Sequence, residues 1–331
     1  MNSSYKRWSK SLLAITFALI LLIMATVYLT DPLGTHSNGR FTKYTNSDNL
    51  KHFNIKLNGE YELALLGTSR LMAIDPYHIQ NLVNKKIVNL ALSSVSFKTQ
   101  KSLAVELKHK QKNIIYGFDC FSLNTSTLDI KRHQEIHEQI NTSSLKYYLD
   151  KDLLITSVKT LRNFIQNRDY NYSLIEKDNT AAVHSTSSLD KLLSSYYQRF
   201  SLPKEREILE LAKIADADDI FIIYPKYQHF YSFFQKHGIE EKYFHAIKLL
   251  VNNTDAKVYC FYGINEFTRS KENFDNYGWH FKPKVGKNIF DEIYKESTAH
   301  GPSPYLLTRY NVDEVLQTLS KNISKTNINA I

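Results

Sequence analysis

Only two cysteines, Cys120 and Cys260, occur in the 331 residues. Two thiols exclude a disulfide-dense scaffold and leave no metal-ligand spacing. Both lie in apolar, strand-like runs, which reads them as buried side chains, although an exported location leaves a disulfide open. Glycine and proline are also scarce, at ten and seven residues, so no long flexible linker is expected. The glycines never reach the spacing of a dinucleotide fingerprint or of a Lys-Ser/Thr phosphate loop. There is no internal repeat at a fixed period. The twelve histidines include no pair at helical metal spacing with a suitably placed acid. His133 and His137, with Glu135 between them, sit in a polar helical stretch and read as a solvated face rather than a zinc site. Neither a metal nor a cofactor is expected. The formal net charge is +9, but lysine and arginine are scattered among acids, with no basic stripe interleaved with aromatics. That pattern argues against nucleic acid and for a solvated surface near an anionic membrane or glycan.

What the chain does contain is 43% apolar and 13% aromatic residues, enough for a sizeable core in one α/β domain or one domain with an insertion. Ser11 to Thr30 carries no charge over twenty positions. At ~1.5 Å per residue this spans a hydrocarbon core of roughly 30 Å. A cleaved signal peptide is the competing reading, but its apolar region is usually ~7–15 residues and ends in a small-x-small site, which Ala25-Thr26-Val27-Tyr28-Leu29 does not supply convincingly. The segment is therefore read as an uncleaved anchor. Lys6, Arg7 and Lys10 precede it, Asp31 follows, and the next fixed positive charge is Arg40. The positive-inside bias places the N-terminus in the cytoplasm and the rest of the chain outside, with Trp8 and Tyr28 near the interfaces.

Residues 1–10 are thus a cytoplasmic N-terminus, 11–30 the anchor, 31–57 an irregular polar stem, 58–320 an α/β domain and 321–331 a polar tail that frays. Strands are expected at Glu62 to Gly67, Ile87 to Leu92, Asn113 to Asp119, Asp219 to Pro225 and Lys257 to Tyr262. Helices are expected after the first strand near Ser69 to Leu71, at Phe97 to Lys108, at Tyr243 to Val251 and at Gly286 to Tyr294. Between about 122 and 216 the alternation stops, and Leu145 to Asn167 and Leu189 to Arg199 show helical spacing, which reads as a helical insertion. Successive strand–loop–helix units give a parallel sheet of five strands in a three-layer, flavodoxin-like arrangement.

Two segments carry chemistry. Leu63-Ala64-Leu65-Leu66 runs straight into Gly67-Thr68-Ser69-Arg70, delivering a hydroxyl to the carboxyl end of a strand, where ligands bind in open α/β sheets. A helix start there offers unpaired N–H groups to a developing oxyanion; the alternative is a serine that merely caps the helix. Far downstream, Asp275 and His280 lie just before a helix start at Phe281 to Gly286. Serine and histidine together suggest acyl transfer; alone, His280 reads equally as a core imidazole satisfied by a carbonyl. Asp119, ending the third strand, either shapes the pocket or caps the next turn. Arg70 reads as a surface guanidinium, with Asp119 or an anionic substrate as alternative partners. His229 reads as a loop histidine or a ligand contact at the same rim.

Taken in order, Asp31-Pro32-Leu33-Gly34 past the anchor, Leu66-Gly67-Thr68-Ser69-Arg70, Val88-Asn89-Leu90-Ala91-Leu92-Ser93-Ser94-Val95-Ser96, Ile115-Tyr116-Gly117-Phe118-Asp119, Tyr224-Pro225 with His229, and Asn273 to Gly286 resemble the SGNH (GDSL-like) hydrolase superfamily. In particular they resemble its membrane-anchored, exported branch, found with bacterial envelope polysaccharide modification. That resemblance implies a serine esterase or O-acyltransferase of the bacterial inner membrane, with its α/β domain periplasmic or extracytoplasmic. Its substrate would be an acylated glycan, and other polysaccharide-assembly proteins would be its partners. It implies Ser69 as nucleophile, His280 as general base and an oxyanion pocket from the Ser69 N–H and the Ser93-Ser94 loop, braced by Asn89. The chain departs from the family where the aspartate usually stands three residues before the histidine: position 277 is Tyr, and the nearest acid, Asp275, stands five before. A bulged loop through Gly278 would let Asp275 reach the imidazole; otherwise the fold is a degenerate one that binds glycan or an assembly partner. A membrane-tethered scaffold docking another protein through the helical insertion is a third reading.

Overall fold

Four uninterrupted apolar residues, Leu63–Leu66, form a strand buried at every position, as a central strand of a parallel sheet covered on both faces must be. The computed structural model describes residues 3–30, 57, 59–72, 74–93, 95–125, 145–167, 186–275, 278–295 and 304–326. By its internal contacts the chain divides into two units, residues 1–58 with 135–174, and residues 59–134 with 175–331.

The first unit contains α1 (Ser3–Thr30) together with α6 (Leu145–Tyr148) and α7 (Lys151–Ile165). Within α1, Arg7–Thr30 is long and apolar enough to cross a membrane, with a mean hydropathy of 2.7 over an 18-residue stretch. The last turns of α1 pack against α6 and α7, with Val27, Tyr147 and Leu153 as a small core to which Tyr148 and Leu154 are added. Asp150 starts α7 by accepting hydrogen bonds from the N–H groups of Asp152 and Leu153 at 2.9 and 3.0 Å. The expected stem at 31–57 lies outside the described residues except for Leu57, as do His133, Glu135 and His137.

The second unit alternates strand and helix: β1 (Leu63–Leu66), α2 (Ser69–Met72), α3 (Pro76–Val83), β2 (Ile87–Asn89), α4 (Phe97–His109), β3 (Asn113–Gly117) and α5 (Cys120–Leu123). It continues with α8 (Thr186–Tyr197), α9 (Glu205–Ile214), β4 (Ile220–Ile223), α10 (Gln228–Lys236), α11 (Ile239–Asn253), β5 (Lys257–Cys260), α12 (Glu266–Arg269), α13 (Pro283–Tyr294), β6 (Tyr305–Leu307) and α14 (Val312–Lys325). The sheet order is β2-β1-β3-β4-β5-β6. The first five strands are parallel and are the five read from the sequence. The sheet has a sixth strand, β6, which pairs antiparallel with β5 through Val258↔Leu307 and Cys260↔Tyr305. Three residues with Tyr305 and Leu306 exposed carry too little apolar pattern for the sequence to reveal such an edge strand. The polar stretch from Lys321 is helical as far as Lys325, because Leu316, Leu319 and Ile323 keep one face of α14 buried.

The strand order reverses once. From β1 the chain steps to β2 on one side, then returns past β1 to β3 and continues outward to β4 and β5. Right-handed crossovers therefore put α3 on one face and α4 on the other. The contacts agree: α3 packs on α13, while α4, α9 and α11 pack side by side. The crevice at the carboxyl ends of β1 and β3, where the order reverses, is the place such a sheet offers a ligand.

Candidate functional site

Ser69 lies at that crevice. The β1–β3 register pairs Leu66 with Tyr116, bringing Gly67 beside Gly117, so the two chains leave the sheet close together. A side chain at Gly117 is excluded because a Cβ there would stand 2.0 Å from Tyr224 Oη. Thr68 closes the turn by accepting from the Leu71 N–H at 3.0 Å, and Ser69 opens α2.

The partner histidine arrives on a hairpin. Phe274 and Phe281 form an antiparallel bridge. The Asp275 N–H donates to the His280 carbonyl at 2.8 Å, and the Lys282 N–H to the Asn273 carbonyl at 2.9 Å. Asp275 and His280 are therefore cross-strand neighbours, whose side chains share one face at short range. Gly278 takes φ +69 in the connecting loop, and its N–H donates to the Asp275 carbonyl at 2.9 Å. One carboxylate oxygen of Asp275 contacts His280 Nδ1 at 2.7 Å; the other accepts from the Trp279 N–H at 2.8 Å. With a carboxylate at Nδ1 the imidazole proton is held there, leaving Nε2 to accept from Ser69 Oγ, which it meets at 2.8 Å. The Asp275 side chain is 4% exposed and that of His280 37%, so the acid is sheltered and the base is open to a substrate.

Beneath Ser69 lies a buried charge cluster. Asp119 stands at the N-cap of α5, but its carboxylate is turned to other partners: Arg70 Nη1, Lys226 Nζ at 2.9 Å and the Thr68 hydroxyl at 3.2 Å. This corrects the surface reading of Arg70, whose side chain is 3% exposed, and gives it Asp119, the alternative partner, as its counter-ion. Burial raises the Asp119 carboxyl, but the Arg70 and Lys226 charges outweigh it and hold it at about 2. Burial, then the Arg70 charge, push the Lys226 ammonium down. Residues 68 and 70 are both tied to one carboxylate, so Ser69 is clamped from either side. The Arg70 guanidinium also lies 5.8 Å from the Phe121 and Trp279 ring centroids. Trp279 itself packs edge-on against Tyr196 and Phe230 at 5.1 Å.

Other residues singled out from the sequence sit elsewhere or act differently. Asn89 donates to the carbonyls of Leu71 and Ile74 at 2.8 and 3.1 Å and accepts from the Ala91 N–H at 3.0 Å. It braces the end of α2 against the turn after β2 rather than offering a free amide to a ligand. Ser93 is half-buried on that turn, and Ser94 lies outside the described residues. His229 lies on α10 rather than in a loop, and its Nε2 is 3.0 Å from Asp190 Oδ1 on α8. Both cysteines are free and buried, and burial pushes both thiols up, Cys260 to about 12. A groove between α11 and α14 holds a histidine and a serine too. There His245 is paired with Glu205 and Ser320 with Glu240, so neither forms a nucleophile–base pair.

Lys226 and the aromatic surround of Trp279 escaped sequence reasoning. A lysine just beyond the buried run Ile220–Ile223 was the available signal, since a cation at that strand's carboxyl end faces the ends of β1 and β3. No protein-family model matches this chain, and no curated protein matches it.

Proposed function

We propose that the protein is a membrane-anchored serine esterase or O-acyltransferase of the SGNH kind, acting on acylated glycan of a bacterial envelope. The observation that carries the reading is the continuous hydrogen-bonded relay from Ser69 Oγ through the His280 ring to Asp275. It supports an active site over a degenerate fold, because Asp275 supplies the carboxylate that position 277 lacks. The strand order of the parallel part, 2-1-3-4-5, is that of flavodoxin-like sheets, which agrees with the SGNH reading.

In the first half-reaction Ser69 Oγ attacks the ester carbonyl carbon as His280 Nε2 takes its proton. The Ser69 N–H, at the first position of α2, faces the developing oxyanion, with a second donor from the turn after β2. His280 then passes the proton to the departing alkoxide as the ester C–O bond breaks, leaving an acyl group on Ser69. In the second half, water or an acceptor hydroxyl gives its proton to His280 as it attacks the acyl carbonyl, and His280 returns that proton to Ser69 Oγ as the acyl C–O bond breaks. Asp275 keeps the ring in the required tautomer and stabilises the imidazolium formed in each half. Phe121, Tyr196 and Trp279 give the site an aromatic flank suited to the apolar face of an acyl group or a sugar ring. The α1 helix fixes the chain in the inner membrane, N-terminus in the cytoplasm, and other polysaccharide-assembly proteins are its expected neighbours.

The test is labelling of the purified full chain by a fluorophosphonate, together with hydrolysis of a small acetyl ester. Wild type is expected to be labelled at Ser69 and to turn over the ester; Ser69→Ala and His280→Ala lose both. An equally active Ser69→Ala protein would refute the assignment.

A further inference from the structure

The helix α7 carries two adjacent stripes, and only one of them is covered. Leu153, Ser157 and Thr160, spaced by four and three residues, are its buried positions, and α7 lies against α1. One residue further on the same spacing repeats in Leu154, Val158, Leu161 and Ile165, the second stripe. Leu154 is half-buried, whereas Val158, Leu161 and Ile165 are 55%, 39% and 74% exposed. Ile155 is 41% exposed and widens the stripe, and Leu145 and Leu149 nearby are exposed as well. Lys151, Arg162 and Lys159, all exposed, border it on the side away from the buried positions, and Asp152, Thr156 and Asn163 occupy the remaining face.

From this arrangement we infer that α7 is an interfacial helix that lies in the membrane surface beside α1, its Leu154/Val158/Leu161/Ile165 stripe in the acyl boundary and its basic border on lipid phosphates. Three observations select lipid as the occupant. The helix on which α7 packs is itself long and apolar enough to cross a membrane. Secondly, α7 meets the final turns of α1, where Val27 shares a core with Leu153 and Tyr28 packs against Tyr148 of the adjoining α6, at the level where a spanning helix leaves the hydrocarbon. Thirdly, cations along one edge of an apolar stripe match anionic headgroups and can extend their stems over the same apolar surface. The inference rests on insertion of α1 and is independent of the chemistry at Ser69.

Single cysteines at Val158, Ile165, Thr156 and Phe17, carrying a bimane label in the full chain, provide the test. Cys120 and Cys260 are buried and escape labelling in the folded protein. The samples are nanodiscs of phosphatidylcholine, with and without phosphatidylglycerol, containing a spin-labelled quencher lipid. Phe17→Cys reports insertion of α1. Val158→Cys and Ile165→Cys are expected to be quenched at least about twofold more than Thr156→Cys, which lies on the polar face. Lys159→Glu with Arg162→Glu is expected to weaken quenching at position 165 in the anionic discs. Quenching at 17 with equal, weak quenching at 156, 158 and 165 would overturn the inference and leave the anchor intact. No quenching at 17 would remove both. Disulfide cross-linking of Val158→Cys between two copies in place of lipid quenching would make the stripe a self-association surface and refute the lipid assignment.

Discussion

Asp119→Ala is expected to be among the most damaging single changes in the second unit, and its pH dependence should reveal why. The carboxylate is fully buried, and its partners Arg70 and Lys226 are 3% and 2% exposed. Removing one member of a buried ion pair costs about 3–5 kcal/mol, because the remaining charge is left without its counter-ion. Here two cations are stranded together, and the Thr68 hydroxyl loses its acceptor as well. One relief exists. The Lys226 ammonium is already pushed down by burial and by Arg70, so in the variant it can shed its proton, whereas Arg70 cannot. The deficit should therefore be largest near pH 6 and shrink towards pH 10. Of the two tryptophans, Trp279 sits beside the cluster, so a Trp8→Phe background makes fluorescence a local reporter. In detergent the full chain carrying Asp119→Ala should melt roughly 6–20 °C lower, from about 2–4 °C per kcal/mol for a unit of this size. Lys226→Met, which leaves Arg70 paired with Asp119, should lose less than about 2 kcal/mol. A loss below about 1 kcal/mol for Asp119→Ala, or a deficit that grows with pH, would refute the reasoning.

Three further outcomes are expected. Because the Asp119 carboxyl is held at about 2 in the folded chain and near 3.9 when unfolded, its contribution of about 2 kcal/mol is present above pH 4 and lost as pH falls towards 2; Asp119→Asn should flatten this acid limb in melts taken between pH 6 and pH 2. Gly278→Ala forces a side chain onto φ +69 with its Cβ 2.8 Å from that of Tyr227, so a loss of about 1–3 kcal/mol is expected, with fluorophosphonate labelling slowed because His280 moves with the loop. Asp275→Asn should preserve the fold by circular dichroism yet lower kcat for ester hydrolysis by about 10³–10⁴; a change of less than tenfold would show that the carboxylate does not orient the ring.

The sheet was legible because its strands are uninterrupted apolar runs ended by turn residues: Leu63–Leu66, Asn113–Gly117 and Ile220–Ile223 are buried along nearly their whole length. The two ends of the site, Ser69 and His280, were legible as residue types at a strand end and before a helix start. For Arg70 the favoured surface reading failed, because a guanidinium next to a helix start is ordinarily solvated; Asp119 was open only as an alternative partner, since it takes the fold to bring it from another strand. Lys226 was hidden for the same reason. Strand β6 was missed because hydrogen bonding to β5, rather than burial of its own side chains, holds it in place.

The spacing of acid and base shows how local geometry can replace a motif. Three residues from acid to histidine suits a turn; five suits a four-residue hairpin loop, in which the first and last flanking residues face each other. The sequence Phe274-Asp275 mirrored by His280-Phe281 about a loop containing Gly278 is that hairpin written out, with Phe274 and Phe281 buried on one side and the acid and base on the other. The loop also closes on the cluster under Ser69. Trp279, between the positive-φ glycine and the histidine, packs against the Arg70 guanidinium, whose carboxylate partner Asp119 also holds Lys226 at the end of β4. The carboxyl ends of β1, β3 and β4 and the hairpin are thus joined through one salt-bridged centre. A relay held to 2.8 Å across 211 residues of sequence follows from two rigid pieces, a clamped turn and a closed hairpin, that share Arg70 and Trp279 as their contact. On this argument Trp279→Ala should loosen the Ser69–His280 contact while leaving Asp275–His280 intact. The expected signature is fluorophosphonate labelling slowed about tenfold or more with an unchanged His280 Nδ1 proton resonance, and loss of that resonance would contradict the division into two pieces.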